Sequence, residues 1–306
     1  MGHIIGGRRT VSVSKAAILA VASDVKENEP LSGRTTFRAG GTAKYFVIAQ
    51  NLAELKNLLS LLRAEKEKYF LLGAGSNVLF ASPVYDGVVV ALGGDFRKIS
   101  RKGNAVTAGA AARMGTLEAF AVKEGLSGLE TLSGIPGTVG GAVAGNAGAN
   151  GGSVADVFES AEALDANLEV KSIPKSGAEF SYRSSSLSSS TILAATFLLK
   201  PDKPSEILKR IDAIMARRVA AQPHLPSAGS VFKNPAGTAP AGKLMDDCGL
   251  KGLKIGGAMI SNEHANFIVN TGNASPADVL ALMEAAAGKV KEKFGVTLEP
   301  EIKVVK

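Results

Sequence analysis

The sequence predicts an α+β fold with a strand-rich body and a smaller βα portion after about residue 204. Three observations carry this. Short β-type segments recur as "KYFLL", "GVVVAL", "NAVTAGA", "SAEALDA" and "TILAATFLL", separated by glycines and polar turns. Helical spacing then dominates from Pro204 onward. At 306 residues, the chain also exceeds the usual size of one hydrophobic core, so two or three domains around one cleft are expected. The pattern places a division at about residue 204.

In chain order, the spacing predicts a helix over Lys15–Glu27 and a strand over Ala43–Ala49. Asn51 has the character of a helix N-cap, with Glu54 three residues on and Leu52, Leu55, Leu58, Leu59 and Leu62 at helical spacing. That helix presents one apolar face to a sheet. A helix over Thr116–Lys123 interrupts the strands, and Gly125 is placed to end it. The helix after Pro204 runs through Ile207, Leu208, Ile211, Ile214, Met215 and Val219. "NFIVN" reads as a strand. Ser275 and Pro276 open a last helix carrying Val279, Leu282, Met283, Ala286 and Val290. "VTLEPEIKVV" closes the chain as a strand, counted with the C-terminal domain although it could return to the first sheet.

Composition narrows the function. The chain is 45% hydrophobic and 21% charged, as in ordinary globular proteins. No stretch approaches the roughly 18 uninterrupted apolar residues of a membrane span. The start, "MGHIIGGRRTVSVSKAA", lacks the apolar core of a signal peptide, so a cytoplasmic location without membrane attachment is expected. Cys248 is the only cysteine, which rules out an intrachain disulfide, and it reads as a small buried hydrophobe. His3, His224 and His264 are too scattered for a metal site, so no metal is expected. The net charge of +7 suits attraction of small polyanions, while lysine and arginine are dispersed and tryptophan is absent. Nucleic acid is therefore not the expected partner. Solubility alone accounts for the same charge, and a monomer is the working expectation.

Two glycine-rich loops stand out. "YFLLGAGSNVLF" puts Gly73 and Gly75 directly after a strand, but the third glycine and the βαβ unit of a dinucleotide fingerprint are missing. Glycines there let successive backbone N–H groups form a concave anion nest, with Ser76 and Asn77 adding donors. "SGIPGTVGGAVAGNAGANGG", Ser133–Gly152, holds eight glycines in twenty residues. Such a run suits a backbone approached closely by something a Cβ would obstruct. Each loop alone could be a tight sheet turn; the two together favour an extended ligand bearing a pyrophosphate.

Eight segments in order, "TTFRAGGTA", "GAGSNVL", "SGIPGTVGGA", "NAGANGG", "FSYRSS", "PSAGSVFKNP", "HANFIVN" and "LEPEI", resemble the UDP-N-acetylenolpyruvoylglucosamine reductase family. The resemblance covers about residues 34–304 and is similar to the compact second type. Thr42, Ala74, Ala144, Gly145 and Asn150 depart from the commoner pattern, each beside a motif.

The resemblance implies a p-cresol methylhydroxylase/vanillyl-alcohol oxidase type of FAD-binding fold over residues 1–203, in subdomains of about 1–70 and 71–203, and a substrate domain over 204–306. It implies non-covalent FAD lined by Gly73, Ala74, Gly75, Ser76, Asn77 and Gly109. The second loop would contribute Ser133, Gly134, Ile135, Pro136, Gly137, Thr138, Gly140, Gly141, Asn146, Ala147 and Gly148. A Cβ at Gly137, Gly140 or Gly141 is expected to hold the backbone off the cofactor.

The implied reaction belongs to peptidoglycan precursor synthesis: NADPH donates hydride to the flavin, and the alkene of the UDP-sugar enolpyruvyl ether receives it. Accepting hydride pushes a second negative charge towards a carboxylate, so something must absorb it. Arg183 is assigned to polarise the substrate, since its fork suits a carboxylate. Glu301 must be either protonated or held by Arg183, and a raised pKa is expected. Ser230 is assigned as proton donor. Tyr182, Lys233, Asn234, His264, Asn266, Arg218 and Gln222 are candidate substrate ligands. Two other readings stay open from the residues alone: another flavin oxidase or dehydrogenase on this fold, and a non-catalytic nucleotide-binding protein.

Overall fold

Apolar segments and turn residues build the chain around three larger sheets, seen in a computed structural model that describes residues 13–306. His3 and most of the opening stretch lie outside the described residues.

The first sheet has the strand order Asp24–Pro30, Thr42–Ala49, Val84–Leu92, Tyr69–Leu71. Its inner strands pair in parallel, with Phe46 opposite Val89. The helix Leu52–Ala64 covers one face. Asn51 caps it by accepting the Glu54 N–H at 3.0 Å, while the Glu54 carboxylate reaches back to the Gln50 N–H. Leu55, Leu58, Leu59 and Leu62 are fully buried against Val47, Val88 and Val90. This is the leucine face read from the spacing.

The N-terminal helix is shorter than its spacing suggested. It covers only Lys15–Leu19, and Asp24–Pro30 is an edge strand antiparallel to Thr42–Ala49. The ladder to that neighbour outweighs the weak helical pattern, which here holds only one apolar residue, Val25. The first sheet also runs on to Leu92, so residue 70 falls inside it.

The second sheet is antiparallel, in the order Val170–Pro174, Phe158–Leu164, Thr191–Leu198, Ala105–Gly109, Ile99–Lys102. The helix Met114–Lys123 and the glycine-rich segment share its core with Val106, Phe158 and Phe197. Within that segment, Val139–Ala144 forms a short helix capped by the Thr138 hydroxyl. Glycine composition hid this helix from the sequence reading.

Helix Pro204–Ala221 leads into the third sheet, of order Ser227–Ser230, Phe267–Asn270, Ala258–Ile260, Lys254–Ile255. Helix Pro276–Phe294 packs on it through Val279, Leu282, Ala286 and Val290. Ser275 and Asp278 form a reciprocal capping box, and Gly295 closes the far end at φ +70°. The closing strand is confined to Lys303–Val305, because residues 297–302 run irregularly past the serine segment. It pairs in parallel with Val78–Phe80 and buries Val305 beside Phe80, away from the third sheet. Cys248 is half-buried at the edge of the third core, where the expectation was full burial.

Candidate functional site

A cleft of about 940 Å³ runs between the three sheets. One wall is formed by the 73–77 loop together with Gly134–Thr138, Gly140, Gly141, Ala147 and Gly148. Arg183, Arg218, Gln222, Ser230 and Glu301 line the rest of the cleft. Residues more than two hundred apart in sequence thus face one cavity.

The glycines of this wall fall into two classes. Gly75 sits at φ +64°, and a Cβ there would fall 2.2 Å from the Arg34 carbonyl oxygen, so the fold itself demands glycine. Gly140 is similarly hemmed by Ala110 at 2.9 Å. Gly137 and Gly141 differ: a Cβ would meet nothing closer than 3.6 and 3.5 Å. Protein packing leaves room at both, and both line the cleft, so glycine there keeps space for a ligand. The bare backbone at these glycines and the volume of the cleft fit an FAD-sized group.

Arg183 is set by a tight hairpin, Phe180–Ser181 against Ser184–Ser185. It occupies the left-handed region at φ +57°, which costs a non-glycine residue about 1 kcal/mol or more. Buried Asn146 and Ser185 hold the hairpin to the glycine segment: Asn146 Nδ2 donates to the Ser181 carbonyl and Ser185 Oγ to that of Ala144, both at 2.9 Å. Arg183 Nε donates to Glu301 Oε1 at 2.6 Å. Among the described residues no hydrogen bond occupies its Nη groups, so the open side of the fork can meet another carboxylate.

Glu301 is held at its backbone by both neighbours. Its N–H donates to the Val231 carbonyl at 2.8 Å, and its carbonyl accepts from Asn77 Nδ2 at 3.0 Å. Burial pushes its carboxyl above the usual carboxylate range; Arg183 and Lys233 pull the other way without cancelling it. Ser230 lies at the end of its strand. Thr36 pins that strand to the first loop, donating to the Ser227 carbonyl at 2.8 Å while its N–H reaches the Gly75 carbonyl.

Several residues expected at the site are elsewhere. Gly109 packs under the Phe96 backbone, and Ser133 is buried with its hydroxyl on Glu118. Asn146 uses its amide on the protein, as described. Tyr182 is half-exposed, stacked beneath the Arg183 guanidinium at 5.2 Å, with its hydroxyl accepting the Asn234 N–H. Asn234 itself caps the turn into Ala241, and Lys233 pairs with Glu299 at 3.5 Å. His264 and Asn266 lie behind the serine segment, where burial pulls the His264 imidazole down. Sequence shows which residues carry donors but not which way those donors point.

Lys303 lines the cleft and escaped the sequence reading. Its signal was the two-residue step from Glu301, which in extended chain returns to the same face. Among the described residues, no helix is long and apolar enough to cross a membrane.

Known proteins match this chain over most of its length. The family model for UDP-N-acetylenolpyruvoylglucosamine reductase, C-terminal domain, matches residues 222–305, and that for an FAD binding domain matches residues 43–173. The chain is 43% identical to the UDP-N-acetylenolpyruvoylglucosamine reductase of Caldanaerobacter subterraneus subsp. tengcongensis, over 91% of this chain and 92% of that one. It is 41% identical to the enzyme of that name from Carboxydothermus hydrogenoformans, covering 93% and 95%. The crystal structure of UDP-N-acetylenolpyruvylglucosamine reductase from Thermus caldophilus superimposes with a TM-score of 0.80 at 38% identity, over 90% of this chain and 97% of that one.

Proposed function

The chain belongs to the UDP-N-acetylenolpyruvoylglucosamine reductase family, and we propose that Arg183, Ser230 and Glu301 are the side chains that act on the enolpyruvyl nucleotide in its cleft. It is an NADPH-dependent flavin oxidoreductase of peptidoglycan precursor synthesis. FAD, when bound, relays hydride from NADPH to the alkene. The observation that carries the residue assignment is the convergence of these three on one cavity, with Arg183 and Glu301 in direct contact.

The residues suit the charge that develops. The free Nη edge of Arg183 accepts the substrate carboxylate in a bidentate pair and spreads the electron density that hydride addition sends towards it. Glu301 fixes the guanidinium through Nε, and its upward-shifted carboxyl limits repulsion against that carboxylate. Ser230 Oγ has no hydrogen-bond partner among the described residues, so its proton is free for the carbon next to the carboxylate. One hydride and one proton are added across the double bond, and the serine oxygen recovers its proton from solvent. The glycine loops hold FAD through backbone donors, with Lys303 and Arg218 supplying positive charge at the cleft wall.

The same reading carries the division into a flavin-binding body and a C-terminal substrate portion, a cytoplasmic location and a monomeric state. Anaerobic stopped-flow absorbance tests the function: NADPH bleaches the bound flavin, and the enolpyruvyl nucleotide then restores the oxidised spectrum. A bleached flavin that the nucleotide leaves untouched rejects the reductase reading.

A further inference from the structure

Ser230 Oγ makes no side-chain hydrogen bond among the described residues, so the backbone beyond it must set its position. The strand ladder does this poorly. Pairing between Ser227–Ser230 and Phe267–Asn270 is irregular between Ser227 and Ser230. Past that irregularity, a side chain takes over.

Asn266 is 3% exposed and directs its whole carboxamide at one residue. Its Oδ1 accepts the Phe232 N–H at 3.0 Å, and its Nδ2 donates to the Phe232 carbonyl at 2.8 Å. Its backbone carbonyl accepts the Val231 N–H at 2.8 Å. The opposite edge of the same segment faces the glutamate: Val231 accepts the Glu301 N–H at 2.8 Å, and the Lys233 N–H donates to Glu299 at 2.9 Å. Asn266 therefore grips the short segment that carries Ser230 at one end and Glu301 on its far side. His264 Nδ1 accepts the Asn266 N–H at 3.2 Å and steadies the grip.

We propose that Asn266 is a positioning residue for the reaction, its carboxamide fixing Ser230 relative to Glu301 and so governing proton delivery. The inference rests on Ser230 being the proton donor. The chemistry is specific to an amide of this length, because Phe232 presents its N–H and its carbonyl, one donor and one acceptor, on the same side. Aspartate retains the acceptor but sets an oxygen against the Phe232 carbonyl, and one bond is replaced by repulsion.

Asn266→Asp and Ser230→Ala, each loaded with FAD, test the proposal beside the wild type. A displacement of about 1 Å at a reacting group costs about 10²-fold. In Asn266→Asp, bleaching by NADPH and FAD affinity should stay within about twofold of wild type, while reoxidation by the enolpyruvyl nucleotide slows about 10- to 100-fold. The solvent deuterium isotope effect on reoxidation should rise. Amide hydrogen exchange at Val231 and Phe232 should quicken, a readout independent of turnover. Equal slowing of bleaching and reoxidation would mark a purely structural residue and overturn the proposal. Unchanged reoxidation beside a crippled Ser230→Ala would overturn it alone, whereas an unimpaired Ser230→Ala removes the underlying assignment too. Should Asn266→Asp not fold, Asn266→Ser, smaller and uncharged, carries the same comparison.

Discussion

The two walls of the cleft are built by different means. The glycine-loop wall, which we propose holds FAD, is largely backbone: two loops whose glycines leave the main chain bare of side chains. The wall contributed by the arginine hairpin and the C-terminal portion is side chain: Arg183, Ser230 and Glu301, each carried by a segment that other side chains hold in place. A backbone wall recognises shape and phosphate charge; a side-chain wall directs a reaction. Substitutions on the first should therefore change cofactor affinity, and those on the second should change the rate of one step.

The largest expected effect is at Ser230. Ser230→Ala should slow reoxidation of the bleached flavin by about 10²–10⁴-fold, the usual scale of a lost general acid. Its bleaching by NADPH should be untouched. Arg183→Met should cost about 10²–10³-fold in the same step, the scale of a lost transition-state charge partner. It also has a pH signature. Arg183 lowers the Glu301 pKa against the effect of burial, so its removal should move the Glu301 midpoint further up, as read by NMR of the carboxyl carbon.

On the backbone wall, Gly141→Ala sharpens the contrast. Alanine gains about 1 kcal/mol of helix propensity over glycine, and the protein has room for the methyl, so the FAD-free chain should be no less stable. Overpacking against the bound cofactor costs about 1–3 kcal/mol, or about 5- to 150-fold in FAD affinity by titration. Gly75→Ala, at φ +64° and against the Arg34 carbonyl, should instead weaken the fold itself.

The smallest effect lies just outside the cleft. Burial raises the Glu118 carboxyl, the Ser133 hydroxyl opposes this, and the Glu130 charge adds to it. A carboxyl with a raised folded-state pKa binds its proton more tightly when folded, so its contribution to stability falls as pH rises from the ordinary carboxylate range through the raised value. Glu118→Gln removes that loss. Its melting temperature should exceed the wild type's by about 1–3 °C near neutral pH and converge with it in acid.

The same division explains what the sequence made legible. Helix caps at Asn51 and Ser275 and the leucine face of Leu52–Ala64 are local patterns, and local physics produced them. The glycine loops stood out through composition alone, and both line the cleft. Asp24–Pro30 was opaque because its strand state comes from a neighbour some twenty residues away. Asn146 and Asn266 looked like ligand donors; that they grip backbone is decided by which carbonyls the fold brings to them. The three side chains proposed to act on the substrate were picked out only through the motifs around them, since an isolated arginine, serine or glutamate carries no sign of its partners.

The most direct test of two walls with two roles is one paired stopped-flow measurement on Ser230→Ala and Gly141→Ala, with rates expressed per bound flavin. Ser230→Ala should hold FAD and bleach normally yet fail to reoxidise with the nucleotide, whereas Gly141→Ala should bind less FAD and turn over normally where it is bound. Matching defects in the two variants, whether in cofactor retention or in reoxidation, would contradict the account.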